Sequence, residues 1–163
     1  MNWSYVAGLF DGEGNPSVKF AQRGKLIGIQ ASIEFTGSTV LLNELSCFLS
    51  AHNVKPSDLT LDHNSLGSCV SMRIYRWKDA KIFLLHTINK LIEKKTQSEL
   101  LLDAINAYYG LECRANKTRK YTIEFLRKLD TIRHDIHSYA KKGRKELTEY
   151  DFSFYESRHQ VME

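Results

Sequence analysis

Proline is scarce in this chain. Only Pro16 and Pro56 occur among 163 residues, so little stands in the way of long helices and strands. Cysteine is scarce too. Cys47, Cys69 and Cys113 are odd in number and contain no CxxC spacing, which argues against a disulfide framework or a zinc site and for a reducing compartment. The six histidines are scattered without an HExxH pattern. His134 and His137 lie three residues apart on a predicted helix, a pairing that reads as surface decoration. Long apolar runs are missing. The longest, such as Ile82 to Leu85, fall far short of a bilayer span, and no secretory segment is recognisable. The expectation is an intracellular protein, in the cytoplasm of a prokaryote or in an organelle, neither secreted nor bound to a membrane. A strong excess of one charge is missing as well. Twenty-three Lys and Arg against 19 Asp and Glu give a net charge of +4, a mild basic balance that permits a polyanionic partner without demanding one.

What is present is patterned. A hydrophobic fraction of 42% and a charged fraction of 26% suit one globular domain of this length. The chain opens with a short helix of apolar and small residues, Trp3 to Phe10, broken by Asp11-Gly12-Glu13-Gly14-Asn15-Pro16. Period-two alternation follows over 17–23 and 26–36. Val18 and Phe20 oppose Ser17, Lys19 and Arg23, and Ile29, Ala31, Ile33 and Phe35 oppose Gln30, Ser32 and Glu34. On both sides of Gly24-Lys25 this reads as an antiparallel hairpin. Leu41, Leu42, Leu45, Phe48 and Leu49 recur at helical spacing, with Ser38 or Thr39 as cap. Two further strands are predicted over 59–63 and 68–76, with Val70, Met72 and Ile74 opposing Ser71, Arg73 and Tyr75. Helices follow over 79–92, with Ile82, Leu85, Ile88 and Ile92 on one face, then over 96–109 and 121–140. A basic stretch, 114–120, links the last two.

The predicted architecture is α+β: an αββαββα core with a four-stranded antiparallel sheet and helices on one face. The other sheet face stays open to solvent. The domain is read as single over 1–163, with a core at 1–110 and a helical C-terminal extension at 111–163. The open face would carry Ser17, Lys19, Arg23, Lys25, Gln30, Ser32, Glu34, Thr60, Asp62, Asn64, Ser71 and Arg73. A solvated sheet surface accounts for such a list. So does a β-ribbon saddle in a DNA major groove, where polar side chains read base edges and cations meet phosphates. Lys117, Arg119 and Lys141, in the basic clusters of the extension, could reach flanking phosphates.

The stretch Val6-Ala7-Gly8-Leu9-Phe10-Asp11-Gly12-Glu13-Gly14 closely resembles the LAGLIDADG signature of homing endonucleases. It lies where that family places it, on the first helix just before the first strand, and the resemblance extends over residues 3–109. It implies a LAGLIDADG fold with a saddle-shaped sheet, and site-specific double-strand cleavage of a long, near-palindromic DNA site. A single motif implies a homodimer. Ala7, Gly8 and Gly12 would let two signature helices approach closely across a two-fold axis. Glu13 is the implied metal ligand, assisted by the Gly12 carbonyl. A carboxylate at a helix C-terminus, facing its symmetry mate, is disfavoured twice over, and a divalent cation offsets both penalties. Mg²⁺ suits these oxygens and a phosphate substrate, with Mn²⁺ or Ca²⁺ able to replace it in crystals. The metal would activate water for a staggered cut. No small-molecule cofactor is implied. Asp11 is structural by the same resemblance. Ungapped counting places the family's lysine at Lys94, with Lys95 a near rival. The family's polar residue at the end of the second strand is replaced by Thr36-Gly37-Ser38, which leaves Ser38 as a weak water-positioning candidate. Two rival functions share the fold: an RNA-binding intron maturase, and a non-catalytic DNA-binding regulator.

Overall fold

The computed structural model describes residues 1–23, 26–64, 67–112, 121–139, 147 and 151–153. Lys25, Lys117, Arg119 and Lys141 lie outside the described residues. For Arg23, Asp62 and Asn64 only the backbone is described.

Helix α1 spans Trp3–Glu13, capped by the Asn2 side chain, which accepts from the Tyr5 N–H at 2.9 Å. Strands β1 (Gly14–Arg23) and β2 (Leu26–Gly37) form the predicted hairpin. Helix α2 (Thr39–Ala51) follows, then β3 (Thr60–Asn64) and β4 (Gly67–Ile74). Helices α3 (Trp77–Thr87), α4 (Lys95–Gly110) and α5 (Ile123–Ser138) complete the described elements, with a short 3-10 turn at Ile88–Lys90 after α3. The four strands make one antiparallel sheet in the order β1-β2-β4-β3. No described helix is long and apolar enough to cross a membrane.

The predicted alternation sorts the sheet as read. Val18, Ile29, Ala31, Ile33, Phe35, Met72 and Ile74 are buried on the helix side. The open side carries the polar series at opposite parity. Two of its members are corrected by the structure. Ser32 and Ser71 are only 1% and 2% exposed, so neither is a surface group in the isolated chain. Both are short side chains on the two inner strands. Lys19 pairs with Gln30 yet reaches Glu34 at 3.5 Å, so its side chain must cross the intervening Ser17–Ser32 pair.

Three phenylalanines lock α1 onto the sheet. Phe10 meets Phe35 at 5.6 Å and Phe83 at 5.2 Å between ring centroids, and Phe35 meets Phe83 at 5.7 Å. Each such pair adds about 0.5–1.5 kcal/mol to the area it buries. The passage from α1 into β1 is direct, with no intervening loop. Gly14 makes this possible: a Cβ there would lie 1.9 Å from the Phe10 ring and 2.6 Å from its carbonyl oxygen. The strand therefore starts at Gly14, three residues before the alternation shows it. Pro16 is accommodated because β1 is an edge strand.

The predicted face of the third helix also needs correction. The α-helix ends at Thr87, and its buried face is Ala80, Phe83, Leu84 and Thr87. Leu85 and Ile92 are 58% and 84% exposed. Leu91, seven residues beyond Leu84 and in phase with this face, enters the core in place of Ile92.

Candidate active site at the end of the first helix

Glu13 is the last residue of α1 and is exposed, at the end of the helix whose carbonyls lack intrahelical partners. Around it lies a cleft of ≈ 590 Å³, walled by Asp11, Gly12, Glu13, Asn15, Glu34, Thr36, Glu93, Lys94, Gln97 and Tyr139, among others. The C-terminus of α1, the start of β1, the end of β2, the turn into α4, the first turn of α4 and the C-cap of α5 all contribute. The cleft sits where the open sheet face runs into the signature helix.

Asp11 fixes the geometry. Its carboxylate accepts the backbone N–H groups of Ile92 at 2.8 Å and Lys94 at 3.0 Å. This fastens the turn before α4 to the end of α1. Lys94 in turn donates its ammonium to the Asp11 carbonyl and reaches the Gly12 carbonyl at 3.4 Å. A cation on the last carbonyls of a helix is favoured by the helix dipole. Of the two lysines named from the sequence, Lys94 lines the cleft. Lys95 begins α4, is exposed, and does not line it.

Ser38 is placed elsewhere. Its hydroxyl accepts from the Leu41 N–H at 3.3 Å as the N-cap of α2, and it does not line the cleft. The polar group that β2 presents at this end is Thr36. Sequence reasoning also missed Asn15, Glu93, Gln97 and Tyr139. Gln97 is 7% exposed and donates to the Ile136 carbonyl at 3.1 Å, which ties α4 to α5 at the cleft wall. Asn15 and Glu93 are sequence neighbours of Glu13 and Lys94, whereas nothing local in the sequence marks Gln97 and Tyr139, which converge through helix packing.

The signature helix has two faces of different character. Val6, Ala7 and Phe10 are fully buried in the chain's own core. Ala7 therefore cannot serve the close approach of a second helix, as the sequence suggested. The open stripe is Ser4, Gly8 and Gly12, all exposed. A Cβ built on Gly8 or Gly12 meets nothing within 4 Å, so neither glycine is required by contacts inside the chain. Tyr5 stands beside the stripe, 52% exposed.

On the open sheet face, Glu34 lies between two cations. Its carboxylate meets Arg73 at 2.8 Å and Lys19 at 3.5 Å and is itself largely shielded. Gln30 is half-buried and Thr60 exposed, and the Ser17 hydroxyl is buried without a hydrogen-bond partner. By strand register, Arg23, Asp62 and Asn64 share this face.

Glu13 and the Gly12 carbonyl are hard oxygen donors of the type that Mg²⁺ takes. Among the described residues, no three His, Cys, Asp or Glu side chains of one chain group in a way that could hold a metal ion. One chain therefore supplies part of a coordination shell. The donor set fits the cation if a second copy brings its own Glu13.

Solved structures share this architecture over nearly the whole chain. The archaeal intron-encoded homing endonuclease I-Vdi141I, complexed with DNA, matches at a TM-score of 0.70 and 14% identity, covering 97% of this chain and 96% of that one. The homing endonuclease I-CvuI, in complex with the I-CreI target in 2 mM Mg with the DNA not cleaved, matches at 0.69 and 13%, covering 99% and 94%. The LAGLIDADG homing endonuclease I-SmaMI, bound to cleaved DNA, matches at 0.63 and 18%, covering 98% of this chain but 48% of its own. No protein-family model matches the sequence, and no curated protein matches it. The chain has the LAGLIDADG homing-endonuclease fold.

Proposed function

We propose that the chain is a site-specific DNA endonuclease that works as a homodimer and depends on a divalent metal. The observation that carries this reading is the placement of Glu13. An exposed carboxylate ends the signature helix, directly beside an uncovered stripe of small residues, in a cleft that opens onto a polar sheet face. The structural neighbours supply the substrate class, since those named above were solved with DNA. The length relation supports the stoichiometry. One copy of this chain spans about half of I-SmaMI, and two copies packed through Ser4, Gly8 and Gly12 would restore the missing half. An isologous contact at that stripe brings the two Glu13 residues together over the axis.

The reaction is hydrolysis of one phosphodiester in each DNA strand. A divalent cation bound at Glu13 and the Gly12 carbonyl would polarise the phosphate and lower the pKa of a water beside it. The chain's own groups do the rest. Glu13 supplies the anionic oxygens. Lys94, held in the cleft, places a positive charge where the phosphate gains negative charge. Asp11 sets the position of Lys94 and stays occupied with two backbone amides. Thr36 and Asn15 offer neutral hydrogen-bonding groups at the sheet end of the cleft. The open face of β1, β2, β3 and β4 spans the major groove on each side.

The test uses purified full-length protein and a library of random duplex DNA, with Mg²⁺ or EDTA, sequencing the cut ends. Cleavage at a long, near-palindromic site in Mg²⁺ alone is expected, and Glu13→Gln protein should retain the bound sequence while losing cleavage. A Glu13→Gln enzyme that cuts at the normal rate overturns the reading.

A further inference from the structure

Glu34 is an acid on a surface meant for a polyanion, and its surroundings say what it is for. It sits on the open face of β2 with Asn15 of β1 on one side and Arg73 of β4 on the other, directly paired in both registers. One carboxylate oxygen receives the Arg73 guanidinium at 2.8 Å, and the other meets the Lys19 ammonium at 3.5 Å. Glu34 is only 17% exposed at its side chain, whereas Arg73 and Lys19 are 41% and 43% exposed. The acid is thus covered, and the two cations that cover it remain accessible.

A carboxylate there weakens attraction to phosphate, so a surface selected only for adhesion would lack it. What it provides is orientation. Arginine is a planar fork with five donors, and one anchored nitrogen restricts a long side chain that otherwise loses its freedom on binding. A guanidinium held this way suits the O6 and N7 acceptors of guanine, the commonest specific arginine contact in a major groove. Lysine is a point charge without that planarity, and its longer contact leaves Lys19 able to pass from Glu34 to a phosphate.

We infer that Arg73, held in place by Glu34, is a specificity-determining residue that reads a guanine towards the inner end of each half-site. The inference rests on the DNA-cleaving dimer proposed above. The position follows from the sheet. Asn15, Glu34 and Arg73 form one row across three strands, and Asn15 and Glu34 also line the cleft that holds Glu13. Two strand spacings separate the Asn15 and Arg73 backbones by roughly 10 Å, which corresponds to about three base-pair steps. The base read by Arg73 therefore lies within a few base pairs of the cleaved phosphates, and two-fold symmetry places it twice in the site. In this scheme Glu34 is a positioning residue that acts through Arg73.

The experiment selects bound sequences from random duplex DNA with the full-length wild type, Arg73→Lys and Glu34→Gln. It also measures affinity for non-selected duplex as a function of salt. The wild type should enrich guanine at one symmetric pair of inner positions. Arg73→Lys keeps the charge and loses the fork, so the preference at that pair should fall roughly 5- to 150-fold while the salt dependence stays unchanged. Glu34→Gln, which is nearly isosteric and carries the test if the lysine variant fails to fold, should relax the same pair. It should also tighten binding to non-selected duplex and steepen its salt dependence, since both cations are released to phosphates. An Arg73→Lys or Glu34→Gln pool with the wild-type preference at every position overturns the inference and leaves the endonuclease reading standing. A wild-type protein that enriches no sequence overturns both.

Discussion

Asp11 and Lys94 are joined twice: the Asp11 carboxylate holds the Lys94 backbone N–H at 3.0 Å, and Lys94 returns its ammonium to the Asp11 carbonyl. The first acid of the signature is thereby set apart from the second in its surroundings. Asp11 spends both oxygens on the amides of Ile92 and Lys94, and Glu13 is left with an exposed side chain at the helix end. Asp11→Asn keeps the shape but replaces one acceptor oxygen with a donor, which then faces an N–H. One bond is lost and one polar group is stranded, at a cost of about 1–3 kcal/mol. Cleavage should fall together with stability, because Lys94 loses its placement. Urea unfolding alongside a cleavage assay checks this, and an Asp11→Asn protein with wild-type values in both contradicts it.

Lys94 itself should separate the two quantities. Its stabilising role is that of a cation at a helix C-terminus, worth about 0.3–1 kcal/mol. Its proposed role in the reaction is electrostatic stabilisation of charge at the phosphate, where loss of one donor costs about 10²–10³ in rate. Lys94→Met should therefore unfold almost as the wild type does and cleave at least a hundred times more slowly, read by single-turnover kinetics on the selected site. Lys95→Met should change neither, since Lys95 is exposed outside the cleft. Equal rates for Lys94→Met and wild type would remove Lys94 from the mechanism.

The strands were legible because period-two alternation is a direct consequence of one buried and one open face, and the Val18–Phe20, Ile29–Phe35 and Val70–Ile74 patterns all show it. The signature helix and Glu13 were legible from a local string. The rest of the site was not, for identifiable reasons. Glu34 reaches Lys19 and Arg73 across 15 and 39 residues, and only the strand register brings them together. Gln97 and Tyr139 enter the cleft wall through the packing of α4 against α5, which leaves no periodic trace. The third helix misled because its apolar residues occupy more than one face: Phe83, Leu84 and Leu91 are buried while Leu85 and Ile92 stand outward. Helical spacing links Ile82, Leu85 and Ile92 as well as it links Ala80, Phe83, Leu84 and Leu91, and it does not say which set packs. Ala7 misled because small residues serve close packing inside a chain as well as between chains.

The end of α2 offers a test of backbone strain free of any functional assumption. Asn53 has φ 61°, in the left-handed region. The Val54 N–H donates to the Leu49 carbonyl at 3.0 Å and the Asn53 N–H to the Ser50 carbonyl at 3.2 Å. Val54 and Leu49 are both fully buried. This is a Schellman arrangement with asparagine in the usual glycine position. Asn53→Gly should be neutral or stabilising, and Asn53→Val should cost about 1–3 kcal/mol because a β-branched residue resists that conformation. Thermal unfolding of both variants checks the sign, and a valine variant as stable as the wild type would contradict the geometry.

The glycines of the signature should respond in opposite ways, and the contrast tests the dimer directly. Gly14 faces its own chain. A methyl group there collides with the Phe10 ring and carbonyl, so Gly14→Ala should destabilise the subunit by about 1–3 kcal/mol, as overpacking does. Gly8 faces open space. Gly8→Leu replaces a poor helix former with a good one on an exposed surface, worth up to about 1 kcal/mol to the isolated subunit. The same side chain holds a second helix away from the stripe. A Gly8→Leu protein should thus be a well-folded monomer by light scattering that fails to cleave even though Glu13 and Lys94 are intact, because one copy brings one carboxylate to a site that needs two. If Gly8→Leu still forms the wild-type dimer, the two copies do not meet at this helix, and Glu13 must find its second set of metal ligands elsewhere.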